Sequence, residues 1–204
     1  MKTTLTCGLA LIGLSAGISS ADIMSISGGI DTSIEQTGVS FDAMLDYNHT
    51  GGTNGTLTIE IANTTAEAAI GGYLTGFVFN ILSSDAAASA VLISGTSTSF
   101  LNTGIENASP FGTFDAGAAL GANWTGGGNP SLGLGVGYSG TFEFSVSALD
   151  ADSLSSSSFV GGGEHFAVRF RGLNDGGSDK LLAPAPGTGA VALIGLGLFS
   201  RRRR

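Results

Sequence analysis

The sequence predicts an all-β protein: a single antiparallel β-sandwich, flanked by an N-terminal signal peptide and a C-terminal hydrophobic sorting helix. Three observations lead there. Apolar and polar residues alternate at a period of two from Val39 to Gly172, as strands with one wet face require. Glycine-rich stretches punctuate the alternation and read as turns. No stretch of the middle of the chain holds a 3.6-residue apolar period over the length of a long amphipathic helix. Glycine (34 residues) and proline (4) make up about 19% of the 204 residues. That is below the ~25–30% typical of low-complexity chains, so the chain is expected to fold.

The N-terminus, MKTTLTCGLALIGLSAGISSAD, places Lys2 before an apolar stretch from Leu5 to Ile18. Ser19 and Ala21 then stand at the two positions that a signal peptidase reads, so residues 1–21 are expected to be removed by a cut between Ala21 and Asp22. Cys7, the one cysteine, lies inside this segment. The mature chain therefore has neither a disulfide framework nor thiol chemistry.

Within the domain expected over residues 22–182, VSFDAMLDY puts Val39, Phe41, Ala43, Leu45 and Tyr47 on one face, and TLTIEIA does the same with Leu57, Ile59 and Ile61. Residues 48–55, NHTGGTNG, are expected to form a long turn between them. Phe77, Phe79 and Ile81 in FVFNI, and Phe142, Phe144 and Val146 in TFEFSVS, continue the pattern. ALDADSLSSSSF, residues 148–159, has room for one helical turn. In FAVRFRG, Phe166, Val168 and Phe170 are expected inside, with Ala167, Arg169 and Arg171 facing water.

Charge excludes one class of partner. All sixteen acidic residues lie between Asp22 and Asp179, against three basic residues (Arg169, Arg171 and Lys180) in residues 22–183, a net of −13 by side-chain count. Such a surface repels phosphate backbones, so no nucleic-acid partner is expected. It suits a soluble domain outside the cytoplasm that attracts cations.

Motifs of catalysis do not survive their context. GLSAG (residues 13–17) copies a nucleophile elbow inside the signal segment. GVGYSG (135–140) copies a dinucleotide fingerprint, but a strand follows it where a helix must. His49 in a polar turn and His165 at a strand entrance are the two histidines, too few for a dedicated zinc site and without a triad context. No enzyme activity is expected. Calcium is the one cofactor with candidate ligands: Asp150 and Asp152 in LDADS, and Asp175 and Asp179 in GLNDGGSDK. Hard oxygens crowded in a glycine turn suit that ion; neither stretch has EF-hand spacing, and solvated acidic turns are the plainer reading. Five N-x-[ST] sequons begin at Asn48, Asn54, Asn63, Asn107 and Asn123, a density that an Asn- and Thr-rich β-protein reaches by chance. Trp124, Tyr73 and Tyr138 could stack on sugars, although core packing and turn anchoring are the plainer roles.

The C-terminus, PAPGTGAVALIGLGLFSRRRR, has three parts. Pro184, Ala185 and Pro186 hold the chain extended. Gly187 to Phe199 gives thirteen apolar or small residues, a helix of about 20 Å. Arg201, Arg202, Arg203 and Arg204 each cost roughly 2.5–3.5 kcal/mol at a bilayer centre, so the cluster resists translocation. With the N-terminus exported, the tail reads as a stop-transfer element that retains the chain in the membrane. An extended strip beside a short span parallels the processed C-terminal signals of GPI-anchored proteins.

This arrangement over residues 183–204 resembles the C-terminal sorting signal of the PEP-CTERM proteins, bacterial exported proteins handled by an exosortase. Pro184 and Pro186 match the motif prolines, Gly187 to Phe199 the helix and Arg201 to Arg204 the basic end; Ala185 stands where that family usually has glutamate. GGYLTGFVFNI, FGTFD and FAVRFRGLNDGGSDK are also similar to the β-rich domains of such proteins. The resemblance implies signal peptidase and exosortase as partners during export, transient anchoring in the inner membrane, and delivery to the envelope surface or extracellular matrix. It leads to the expectation of a non-catalytic surface or matrix protein. The alternative is a carbohydrate- or calcium-binding module, with extracellular polysaccharide as its partner.

Overall fold

The computed structural model describes residues 22–66, 70–160 and 166–183. The signal segment, the Pro184-Ala185-Pro186 motif, the sorting helix, the arginine cluster and His165 lie outside the described residues.

Twelve strands form in chain order: β1 (Ile23–Gly28), β2 (Phe41–Gly51), β3 (Asn54–Asn63), β4 (Gly71–Phe79), β5 (Ser89–Gly95), β6 (Phe100–Asn102), β7 (Glu106–Asn107), β8 (Thr113–Phe114), β9 (Ala116–Leu120), β10 (Ser139–Ser147), β11 (Phe166–Leu173) and β12 (Ser178–Leu182). They build two five-stranded antiparallel sheets, β1-β2-β3-β10-β5 and β12-β11-β4-β9-β6, and a small β7-β8 pair. The large sheets pack face to face in a sandwich-like arrangement. The helical turn expected in 148–159 forms at its end as a short 3-10 turn, Ser156–Phe159.

The period-two patterning becomes the core between the sheets. β2 alternates buried and exposed positions from Phe41 to Asn48, and β10 does so along its length with Glu143 half-buried. From the first sheet come Phe41, Leu45, Ile59, Phe142 and Phe144; from the second come Phe77, Phe79, Phe166, Val168 and Phe170, all without exposed surface or nearly so. Phe77 and Phe166 stack at 5.9 Å, whereas Phe77–Phe142 and Phe79–Phe144 meet edge to face with centroids 5.0 Å and 5.1 Å apart. The edge-to-face geometry sets the positive edge of one ring on the negative face of the other.

Two expectations are corrected. The long turn over residues 48–55 is not present: β2 and β3 zip up to Gly51↔Asn54, with a bulge between His49 and Gly51. Glycines at φ 128° (Gly51) and 58° (Gly52) reverse the chain there. Gly55 is needed in this hairpin because Tyr47 lies across it; a Cβ at Gly55 would stand 2.5 Å from the Tyr47 ring.

The second correction concerns the outer face of β11. Ala167 is fully buried there, not wet. Residues 104–114 and 121–129, on either side of β9, fold over that side of the sheet, and Val78, Ala108, Phe111, Phe114, Trp124 and Ala167 form a second apolar cluster with Leu182 packed against it. Strands β4 and β9 are thus covered on both faces. This accounts for the small side chains of β9, AGAAL, all buried, and for Gly117, whose added Cβ would fall 2.3 Å from the Phe77 carbonyl.

Candidate functional site

The chemistry-bearing side chains of the described residues fall into three groups: two carboxylate knots and one strip of cations.

The first knot is Asp179. It shares a face of β12 with Leu181, so its carboxylate points inward, and it has no exposed surface. The segment 33–37, between β1 and β2, wraps around it. Oδ2 accepts the Ser33 hydroxyl at 2.6 Å, the Thr37 hydroxyl at 2.6 Å and the Thr37 amide at 3.1 Å. Oδ1 accepts the amides of Glu35 at 3.2 Å and Lys180 at 2.7 Å. Burial pushes the carboxyl pKa up, but the hydrogen bonding at Glu35, Ser33 and Thr37 outweighs it and brings the value down to about 2.

The second knot is Asp150, which ties the connection after β4 to the one after β10. It accepts the Ser83 hydroxyl, and through Oδ2 both the amide and hydroxyl of Ser84 at 2.7 Å. Asp85 reciprocates by accepting the Leu149 amide at 2.8 Å. The Ser83 and Ser84 hydrogen bonds lower the Asp150 pKa to about 2.

The four calcium candidates are therefore divided between two connections. Asp150 and Asp152 follow β10, whereas Asp175 and Asp179 belong to the β11-β12 hairpin. Asp152 accepts the Ser153 hydroxyl at 3.3 Å and Asp175 the Gly177 amide at 2.7 Å, closing an Asx turn. Among the described residues, no three His, Cys, Asp or Glu side chains gather as a metal site. The oxygens of Asp150 and Asp179 face O–H and N–H donors, which a cation would have to displace.

The cation strip lies on the outer side of the second sheet. Arg169 and Lys180 are direct cross-strand partners on β11 and β12, and Arg171 follows two positions along. Lys180 pairs with Glu35 at 3.1 Å, the one ion pair among the described residues. The arginines instead reach loop carbonyls: Nη1 of Arg169 donates to Trp124 at 2.7 Å and Nη1 of Arg171 to Gly127 at 3.5 Å. Nε of Arg169 is buried and lacks a hydrogen-bond partner. Burial, then the charge of Arg171, lowers the Arg169 pKa. The sequence pattern placed Arg169 and Arg171 on a wet strand face and gave Lys180 no strand position; their gathering on one face depends on the hairpin register.

Searched against family models, curated proteins and solved structures, the chain matches none of them.

The remaining sequence candidates fall in structural positions. His49 lies in the β2-β3 hairpin, with Nε2 3.0 Å from the Gly52 carbonyl. Trp124 is buried and donates from Nε1 to the Ser109 carbonyl at 3.2 Å. Tyr138, 71% exposed, is the single large aromatic with its ring in solvent among the described residues. Asn63 is fully buried and donates to the carbonyls of Gly72 at 3.2 Å and Leu134 at 3.0 Å, which removes its sequon from any acceptor role in the folded domain. GVGYSG serves as a loop that leads into β10.

Proposed function

We propose that this chain is an exported, non-catalytic cell-surface or extracellular-matrix protein. Its domain is a single β-sandwich over residues 22–182, and a C-terminal exosortase sorting signal at residues 183–204 directs its processing. The observation that carries the reading is the two-ended layout of the sequence: an export signal before Asp22, and a proline strip, short apolar run and four arginines after Ala183.

The structure supports it in two ways. The strands begin at Ile23 and end at Leu182, so cuts beside Ala21–Asp22 and around Pro184–Pro186 would leave both sheets intact. The Asp150 and Asp179 carboxylates hold connections together through several hydrogen bonds each, as expected of a scaffold. A sugar-binding alternative needs a row of exposed rings; among the described residues Tyr138 is exposed and its neighbour across Gly135, Tyr73, is half-buried.

Cell fractionation tests the reading. Wild-type chain is expected at the envelope surface or in the medium, while a chain lacking Arg201–Arg204 is expected to be mislocalised and unprocessed. Identical distribution of the two chains contradicts the role given to the arginines.

A further inference from the structure

The charged side chains that point outward from the two large sheets differ in sign, although a covering loop takes part of the second sheet's outer side and Glu35 pairs with Lys180. On the first sheet, Asp42, Asp46, Glu60 and Glu143 alternate with inward apolar residues and turn outward. Asp46 and Glu143 flank Thr58 from opposite sides, and Glu60 lies between Met44 and Thr141. The five strands of this sheet carry no lysine or arginine. A depression of about 190 Å³ indents the face at Asp42, Met44, Glu60 and Ala62. Its Met and Ala surfaces suit an aliphatic stem, and its carboxylates suit a cationic tip.

On the second sheet, Arg169, Arg171 and Lys180 occupy neighbouring strands and account for every lysine and arginine among the described residues. Each is partly exposed. Of the three, Lys180 alone meets a carboxylate among the described residues. Each guanidinium carries five donors, and one carbonyl contact apiece is recorded for Arg169 and Arg171. The mature domain's net charge of −13, from three bases against sixteen acids, makes two copies repel over most of their surfaces. The orientation that relieves the repulsion sets the cation strip of one copy against the carboxylate face of another.

We propose that copies of this chain associate head to tail, with the Arg169–Arg171–Lys180 strip of one seated on the Asp42–Asp46–Glu60–Glu143 face of the next. The two patches differ, so the contact is heterologous. Each added copy leaves one face of each kind free, and the assembly grows as an open array rather than closing as a pair.

Sedimentation velocity on the mature protein as exported, at about 0.1 M and about 1 M salt, tests this. Charges act over roughly 10 Å in the first, which screens the net repulsion between copies while leaving contacting charges attracted, and roughly 3 Å in the second. Concentration-dependent association is expected at low salt and its loss at high salt. Arg171→Glu and Glu60→Lys are each expected to weaken association about tenfold or more, since each sets like charges together. An equimolar mixture of the two variants is expected to regain it, because each then offers the face that the other lacks; a variant that had merely misfolded would not be rescued. A monomer at every salt and concentration overturns the proposal, as does association indifferent to Arg171→Glu. Binding of an acidic polysaccharide through Arg171 without self-association assigns the strip to a different partner and overturns it too.

Discussion

Asp179 accepts the hydroxyl of Thr37 at 2.6 Å, joining two residues 142 positions apart in the sequence. With Ser33 and the amides of Glu35 and Lys180 on the same carboxylate, this contact fastens the connection before β2 to the last strand of the second sheet. Ile34 reinforces it by donating its amide to the Lys180 carbonyl at 3.0 Å.

Replacing this carboxylate is therefore expected to be costly. Asp179→Ala leaves the Ser33 and Thr37 hydroxyls and the Thr37 amide facing an apolar gap, and about 3 kcal/mol of stability is expected to be lost. Urea denaturation at neutral pH measures it; a loss below about 0.5 kcal/mol, the range of an ordinary surface change, contradicts the structural role.

The same group sets an acid limb. Its carboxyl pKa is depressed from 3.8 to about 2 on folding. A depressed carboxyl contributes stability above its unfolded pKa and loses it as pH falls through the folded value. A contribution of order 1–2 kcal/mol, discounted for solvent screening, is expected to fade between about pH 4 and pH 2. Asp179→Asn is expected to flatten the stability profile in that window. A wild-type profile unchanged by the substitution contradicts the assignment.

Trp124 offers a probe of the outer layer, being the one tryptophan of the chain and nearly inaccessible at 2% exposure. Its emission is expected to be blue-shifted in the folded protein and to move on unfolding at the same denaturant midpoint as the far-ultraviolet circular dichroism. An earlier fluorescence midpoint means that the covering segments, 104–114 and 121–129, detach before the sheets open. Trp124→Ala is expected to cost about 3–5 kcal/mol.

Two glycines separate backbone crowding from composition. Gly117 sits where a Cβ would meet the Phe77 carbonyl at 2.3 Å, whereas the nearest atom to a Cβ on Gly29 is 3.8 Å away. Gly117→Ala is expected to lose about 1–3 kcal/mol by overpacking between fixed strands, and Gly29→Ala to stay within about 0.5 kcal/mol. Equal midpoints for the two variants in a thermal melt contradict the close approach of β4 and β9.

The alternation of Phe41 to Tyr47, Leu57 to Ile61 and Phe142 to Val146 made the paired sheets legible, because a period of two states directly which side is dry. The cover on β4 and β11 was not legible. It comes from residues 104–114 and 121–129, whose strands β7 and β8 are two residues long and too short to show any period. Ala167 therefore read as wet when it is buried. Asp179 showed a similar limit. Its glycine-rich neighbourhood read as a solvated turn, with a calcium ligand as the lesser reading, whereas the carboxylate is buried and the groups that hold it, Ser33 and Thr37, belong to a segment far away in the sequence. The cation strip needed register too, since the pairing of Arg169 with Lys180 follows from how β11 and β12 meet.

In the proposed function both ends of this chain are removed on the way to the cell exterior. Intact mass measurement of the protein recovered from the envelope surface or medium is the deciding test. A chain that starts at Asp22 and lacks Arg201 to Arg204 is expected. A single full-length species running from Met1 to Arg204, recovered from the cytosol, contradicts it.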